Sequence, residues 1–168
     1  MGLYPAAGGA TPAVKTFPVY SDAGAPAALT TGTDQTPVSG TVYFGSLQLA
    51  HRMEVTGVGY LVGSVGGTDS AIVAIYDTNG VVIANSATAG TTVGTTATVQ
   101  EIDLTAKIVL DAPGLYYVSV SMNGATARLR LGVAAGGRGS SQTGTFGTLA
   151  AITTLPVTSG AVPIAYLY

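Results

Sequence analysis

The chain has no cysteine, no tryptophan and a single histidine, and it is short of charge: six Lys and Arg and eight Asp and Glu, 8% of 168 residues. Each shortage excludes something. Without cysteine there is no disulfide and no thiolate metal site, and the redox compartment leaves no mark. One histidine cannot build a multi-histidine metal site, and it is the sole base available to a serine triad. An ordinary soluble domain is roughly 25% charged. Here the net charge is −2 at pH 7, and no basic stripe of the kind nucleic acid requires is present. No apolar run approaches the ~18 residues of a membrane-spanning helix. The start, Met1-Gly2-Leu3-Tyr4-Pro5, lacks the basic region and apolar core of a signal peptide. Neither nucleic acid nor a membrane is expected as a partner, and no cofactor is expected.

What is present is apolar and flexible: 47% hydrophobic residues and 24 glycines, about twice the usual glycine share. The length suits one domain with a real core. With so few charges to cover the outside of a monomer, part of that outside is expected to be an interface.

Residues 1–40 stand apart. They hold Pro5, Pro12, Pro18, Pro26 and Pro37, five of the eight prolines. Proline at this density blocks helix interiors and central strands. A solvated tail is one reading. The other is an extended arm that orders against a neighbour, supported by Leu3, Tyr4, Val14, Phe17, Val19 and Tyr20, which a solvated linker has little reason to carry.

From residue 41 to 168 the pattern is strands, expected at 41–50, 53–65, 71–76, 81–86, 98–104, 107–110, 115–122, 125–133 and 162–167. Turn signals separate them: Gly66-Gly67, Asn79-Gly80, Pro113-Gly114 and Asn123-Gly124. Short strands at close spacing predict an all-β antiparallel sandwich, jelly-roll-like. The Gly/Ser/Thr-rich stretches 88–98 and 134–147 read as long loops. Within 115–122, Tyr116, Val118, Val120 and Met122 form a core face, and in 125–133 Arg128 and Arg130 lie opposite Leu129, Leu131 and Val133.

One hairpin breaks the pattern. In residues 71–86, Ile72, Ala74 and Tyr76 face one way and Ala71, Val73 and Ile75 the other. A strand with one wet face should alternate polar with apolar. Something must cover the second face, and the arm or another subunit is expected to do so. The uncharged end Ile164-Ala165-Tyr166-Leu167-Tyr168 is expected to dock on a sheet, its own or a neighbour's.

No catalytic set emerges. His51 and Glu54 point to opposite faces of a strand, so His51 reads as a surface residue at a strand's start. Gly57-Val58-Gly59 with Gly63 misses the dinucleotide fingerprint and reads as a bend or bulge. Asp77-Thr78-Asn79-Gly80 lacks the further ligands of a calcium loop and reads as a turn. Glu101 and Asp103 share a face, as a glycosidase pair would, but read as a solvated edge. Arg128 and Arg130, with Arg138, form the one cationic cluster. They either pair within the sheet or anchor an acidic partner. Tyr is the main aromatic, and carbohydrate platforms often use the missing Trp.

The segment 56–130 carries an "AIVAIYD-x-x-G" hairpin, then "ANSA-x-AG", "Q-x-I-x-LT" and "PG-x-YY-x-x-V-x-x-NG". In these motifs it resembles a module of tailed-bacteriophage virion proteins. The resemblance covers under half of the chain, and its motifs mark turns and core positions. It implies a structural virion protein on the capsid exterior. The arm and docked end favour a decoration, or cement, protein that stabilises the shell. The alternative is a receptor- or glycan-binding domain of a head or tail fibre. The partners so implied are the major capsid protein, further copies of the chain as a dimer or trimer, and, on the alternative, a host surface glycan. The residues expected to make the contacts are Leu3, Tyr4, Phe17 and Tyr20 in the arm, Arg128 and Arg130 as polar anchors, and Tyr166 and Tyr168 at the end. No enzymatic activity is expected.

Overall fold

A computed structural model describes residues 32–156 and 159–168, with the side chains of 133–137 and 159–160 excepted. Eleven strands follow one another: β1 (Thr33–Gln35), β2 (Val42–Leu49), β3 (Met53–Leu61), β4 (Ser70–Tyr76), β5 (Val82–Asn85), β6 (Thr91–Thr92), β7 (Val99–Leu110), β8 (Gly114–Met122), β9 (Leu129–Gln142), β10 (Ser159–Pro163) and β11 (Ala165–Leu167). Their pairings are antiparallel. The larger sheet runs β1-β9-β2-β8-β4-β5, with β10 on β9 and β6 on β4, and the smaller runs β11-β3-β7. This is the all-β antiparallel sandwich that the strand spacing predicts.

The main core lies between the sheets. Leu47, Val73, Ile75, Val118, Val120, Met122 and Leu129 from the larger sheet meet Val55, Val58, Tyr60, Ile102, Leu110 and Leu167 from the smaller. Alternation chooses these residues: the buried apolar set recurs at i, i+2, except where the irregularity after Val55 shifts it to Val58 and Tyr60 in β3.

The two-faced hairpin is explained by a second core on the outer side of the larger sheet. There Val42, Phe44, Ala74, Tyr76 and Tyr117 pack with Ile152, and Leu149 and Leu155 lie against them. A cover on this face is thus a loop of the same chain, residues 143–156. This strap is tied down by its backbone and by one side chain. Ile152 donates its N–H to the Gly80 carbonyl at 2.8 Å. The Gln142 amide donates to Ala151 O at 3.0 Å and accepts from Thr153 N at 2.8 Å. Gly80 has φ +79°, as the Asn-Gly turn requires, and a Cβ there would stand 2.6 Å from the Ile152 carbonyl. The local turn and the distant strap therefore demand the same glycine.

Several expected boundaries move. The stretch 134–147 is not a loop throughout: β9 continues to Gln142, because β10 and then β2 supply its ladder partners. The expected strands 98–104 and 107–110 are one strand, β7, with a bulge. Val55 pairs with Ile108 and Gly57 with Asp103, so extra β7 residues are looped out between them. The stretch 88–98 includes the two-residue β6. Inside the segment expected as an arm, β1 pairs with Leu129–Leu131 of β9. The last expected strand is two: β10 pairs with β9, β11 with β3, and Ile164 carries the chain between sheets. The Ile164 N–H bonds Arg130 O at 3.1 Å and its carbonyl accepts from Leu61 N at 2.9 Å.

Candidate interaction surface

Three regions carry the polar and apolar groups that face outward. The first is the point where the described chain begins. Asp34 of β1 accepts the Ser64 N–H at 3.2 and 3.1 Å. Arg130 of β9 lies with Nε 3.2 Å from Asp34 Oδ1 as an ion pair, and its Nη1 donates to Gly32 O at 2.7 Å. Hydrogen bonding from Ser64, helped by the charges of Arg130 and Arg128, outweighs burial and holds the Asp34 carboxyl below the usual range. Arg128 spends its Nη1 on Ala125 O at 2.9 Å. Arg130 is therefore engaged inside its own chain, because the topology lays β1 beside it. The sequence alone could not place Asp34 there.

The second region is the outer face of the smaller sheet, where three i, i+2 pairs fall into rows. Tyr166 stands opposite Gly59, and Gly59 opposite Glu101. In the next row Tyr168 exchanges backbone bonds with Gly57, which stands opposite Asp103. Each tyrosine lies over its glycine. A Cβ on Gly57 or Gly59 would come within 2.1 or 2.3 Å of the ring carbons. Glycine here makes room for an aromatic from the next strand. Each hydroxyl then reaches a carboxylate: Tyr166 to Glu101 at 2.5 Å and Tyr168 to Asp103 at 2.9 Å. Burial, the bond to Asp103 and the charges of Asp103 and Glu101 push the Tyr168 hydroxyl up, so it remains a neutral donor.

These rows add a detail to two expectations. Glu101 and Asp103 lie exposed on the edge strand β7, as expected, and each also accepts a phenol, from Tyr166 of β11 and from Tyr168 just beyond it. The ladder is irregular beside Gly57, as expected of a bulge, and Gly57 and Gly59 also seat the two rings. The C-terminal strand docks on its own sheet. The missed signal was the matched spacing Gly57-x-Gly59, Glu101-x-Asp103 and Tyr166-x-Tyr168 in three separate strands.

The third region is apolar. Val81 (51% exposed) and Ile83 (39%) lie beside and on β5, and Val99 (48%) and Val109 (46%) on β7; Val38 and Val65 complete the exposed large apolar residues among those described. β5 and β7 are the edges of their sheets. Around them the charges pair in water, Lys107 with Glu54 at 3.1 Å and Arg52 with Asp111 at 3.2 Å.

Of the residues expected to make contacts, the structure brings Arg128 and Arg130 together near Asp34, and Tyr166 and Tyr168 together on the smaller sheet. Leu3, Tyr4, Phe17 and Tyr20 lie outside the described residues. His51 is exposed in the bend between β2 and β3. Asp77 caps the hairpin turn, accepting N–H groups from Asn79 at 2.8 Å and Val81 at 2.9 Å. Among the described residues no group of three or more His, Asp or Glu is placed to hold a metal ion. Comparison with family models, with curated proteins and with solved structures finds no match for the chain.

Proposed function

We propose that the protein is a structural component of a phage particle that binds the outer surface of the capsid and stabilises the shell without catalysis. The observation that carries this reading is an exterior poor in charge, whose exposed large apolar side chains gather at the edge strands β5 and β7. The resemblance of segment 56–130 to virion modules supports it. Binding works by burial. Each Å² of apolar surface removed from water contributes ~25 cal/mol before ordering costs are subtracted, and many copies on a shell multiply a modest gain. Residues 1–31, rich in apolar side chains between prolines, bridge to neighbouring capsomers or copies.

Quantitative mass spectrometry of purified particles tests it. A copy number comparable with that of the major capsid protein is the expected result, and absence from the particle overturns it. Deleting residues 1–20 is expected to weaken shell association while the sandwich still folds. A second reading, a glycan-binding domain of a head or tail fibre, draws on the Tyr168–Asp103 row, where an aromatic and a carboxylate share an outward face. It expects a copy number matching a fibre set, and glycan binding that Tyr168→Ala abolishes.

A further inference from the structure

Every odd-numbered residue of β7 from Val99 to Val109 is exposed. The row reads Val99, Glu101, Asp103, Thr105, Lys107, Val109. Laid against its own reverse, it matches itself: valine meets valine, Glu101 meets Lys107 and Asp103 meets Thr105. β7 is also an edge. β3 pairs with one side of it, and among the described residues no strand pairs with the other. An open edge that carries apolar side chains is a template for another strand.

We infer that β7 is the docking edge for a second copy of this chain, laid antiparallel to it about a two-fold axis at Leu104. Three observations converge on that occupant. The first is charge. In this register Glu101 of each copy stands opposite Lys107 of the other, and opposite charges across an antiparallel pair attract. Lys107 already pairs with Glu54 at 3.1 Å, but both side chains are mostly exposed, and such a pair exchanges partners at small cost. The second is the apolar match. Val99 is 48% exposed and Val109 46%, and the same axis sets each against the other. The third is register. A centre at Asp103 would set that carboxylate against itself. A centre at Thr105 would set Val99 against Asp111 and Glu101 against Val109. A centre at Leu104 satisfies both ends at once, and a shift by one residue would turn the row to the opposite face. The bulge between Asp103 and Ile108 interrupts the middle of the edge. It leans toward the larger sheet, where the Thr105 hydroxyl donates to Asn85 O at 3.0 Å. The contact is therefore carried by the two ends of β7. Because both copies use the same edge, the assembly closes at two.

The test uses the purified full-length protein without particles, so it can fail while the capsid reading stands, and the reverse. Sedimentation equilibrium is expected to show the mass doubling as concentration rises. Lys107→Glu alone and Glu101→Lys alone are each expected to lose the dimer. An equimolar mixture of the two variants is expected to regain it, since mixing restores opposite charges at both ends. Cysteine gives a second arm, because the chain has none of its own. Val99→Cys and Val109→Cys chains, mixed and oxidised, are expected to join by a disulfide, while either variant oxidised alone stays unjoined. Should Glu101→Lys fail to fold without its Tyr166 contact, the cysteine arm decides. A single-chain mass at every concentration would overturn the proposal. So would a disulfide that forms in the Val99→Cys chain alone as readily as in the mixture, since the axis would then lie elsewhere.

Discussion

At the scale of single residues, space and protons decide the outcome. Gly59 has no positive φ to excuse it, so its conservative replacement tests space alone. Gly59→Ala sets a methyl against the Tyr166 ring and is expected to destabilise by about 1–3 kcal/mol, read from the urea midpoint. A wild-type midpoint in that variant would show that the ring shifts freely. Asp34 and Asp77 titrate below their ordinary value, Asp34 chiefly through Ser64 and Asp77 chiefly through the Val81 N–H. A depressed folded-state pKa means that the unfolded chain binds the proton more tightly. Both contributions are thus complete above the unfolded value of about 3.9 and are lost as pH falls through the folded values. Urea midpoints taken from pH 7 down to pH 3 should be flat first and then fall. Asp77→Asn, which keeps an acceptor for the turn but cannot ionise, should flatten part of the fall.

At the scale of elements, the strap 143–156 decides how the β4 hairpin is buried. Ile152→Ala removes a buried strap residue from the outer core and should cost about 2–5 kcal/mol if the strap unfolds with the domain. Gln142→Ala removes the side chain that holds Ala151 and Thr153. It is expected to speed amide hydrogen exchange at Ile152 and Thr153 while leaving β8 unchanged. Equal protection in wild type and variant would mean that the apolar contacts alone hold the strap. The hairpin itself was legible. Asn79-Gly80 marked the turn, and a strand without alternation announced two buried faces. Which segment covers the second face was not legible, because residues 149–155 show no strand or helix period and their burial depends on a packing partner distant in sequence.

At the scale of the whole molecule, the two sheets are joined rather than merely stacked. Ile164 passes the chain between them, and Leu129 bridges to Val62 across the same side. The sandwich should therefore unfold as one unit, with far-ultraviolet and near-ultraviolet circular dichroism giving the same midpoint. Separate transitions would contradict the joined arrangement. The exterior is expected to behave differently from the core. Val81→Ser together with Val109→Ser, both on exposed edge positions, should change stability by less than about 0.5 kcal/mol each and yet weaken binding to capsids. Intact binding would remove the edges from the proposed contact surface.

The sequence by itself determined the fold class, the positions of most strands and turns, and the low charge of the chain. It could do so because period-two burial and turn chemistry are local, written within a few neighbouring residues. Only the tertiary structure decided that the strap covers the hairpin, that Arg130 is held by Asp34, and that Gly59, Glu101 and Tyr166 form one row. Those facts depend on register between strands distant in the chain. Register is fixed by the burial of all strands together, and no single stretch contains it.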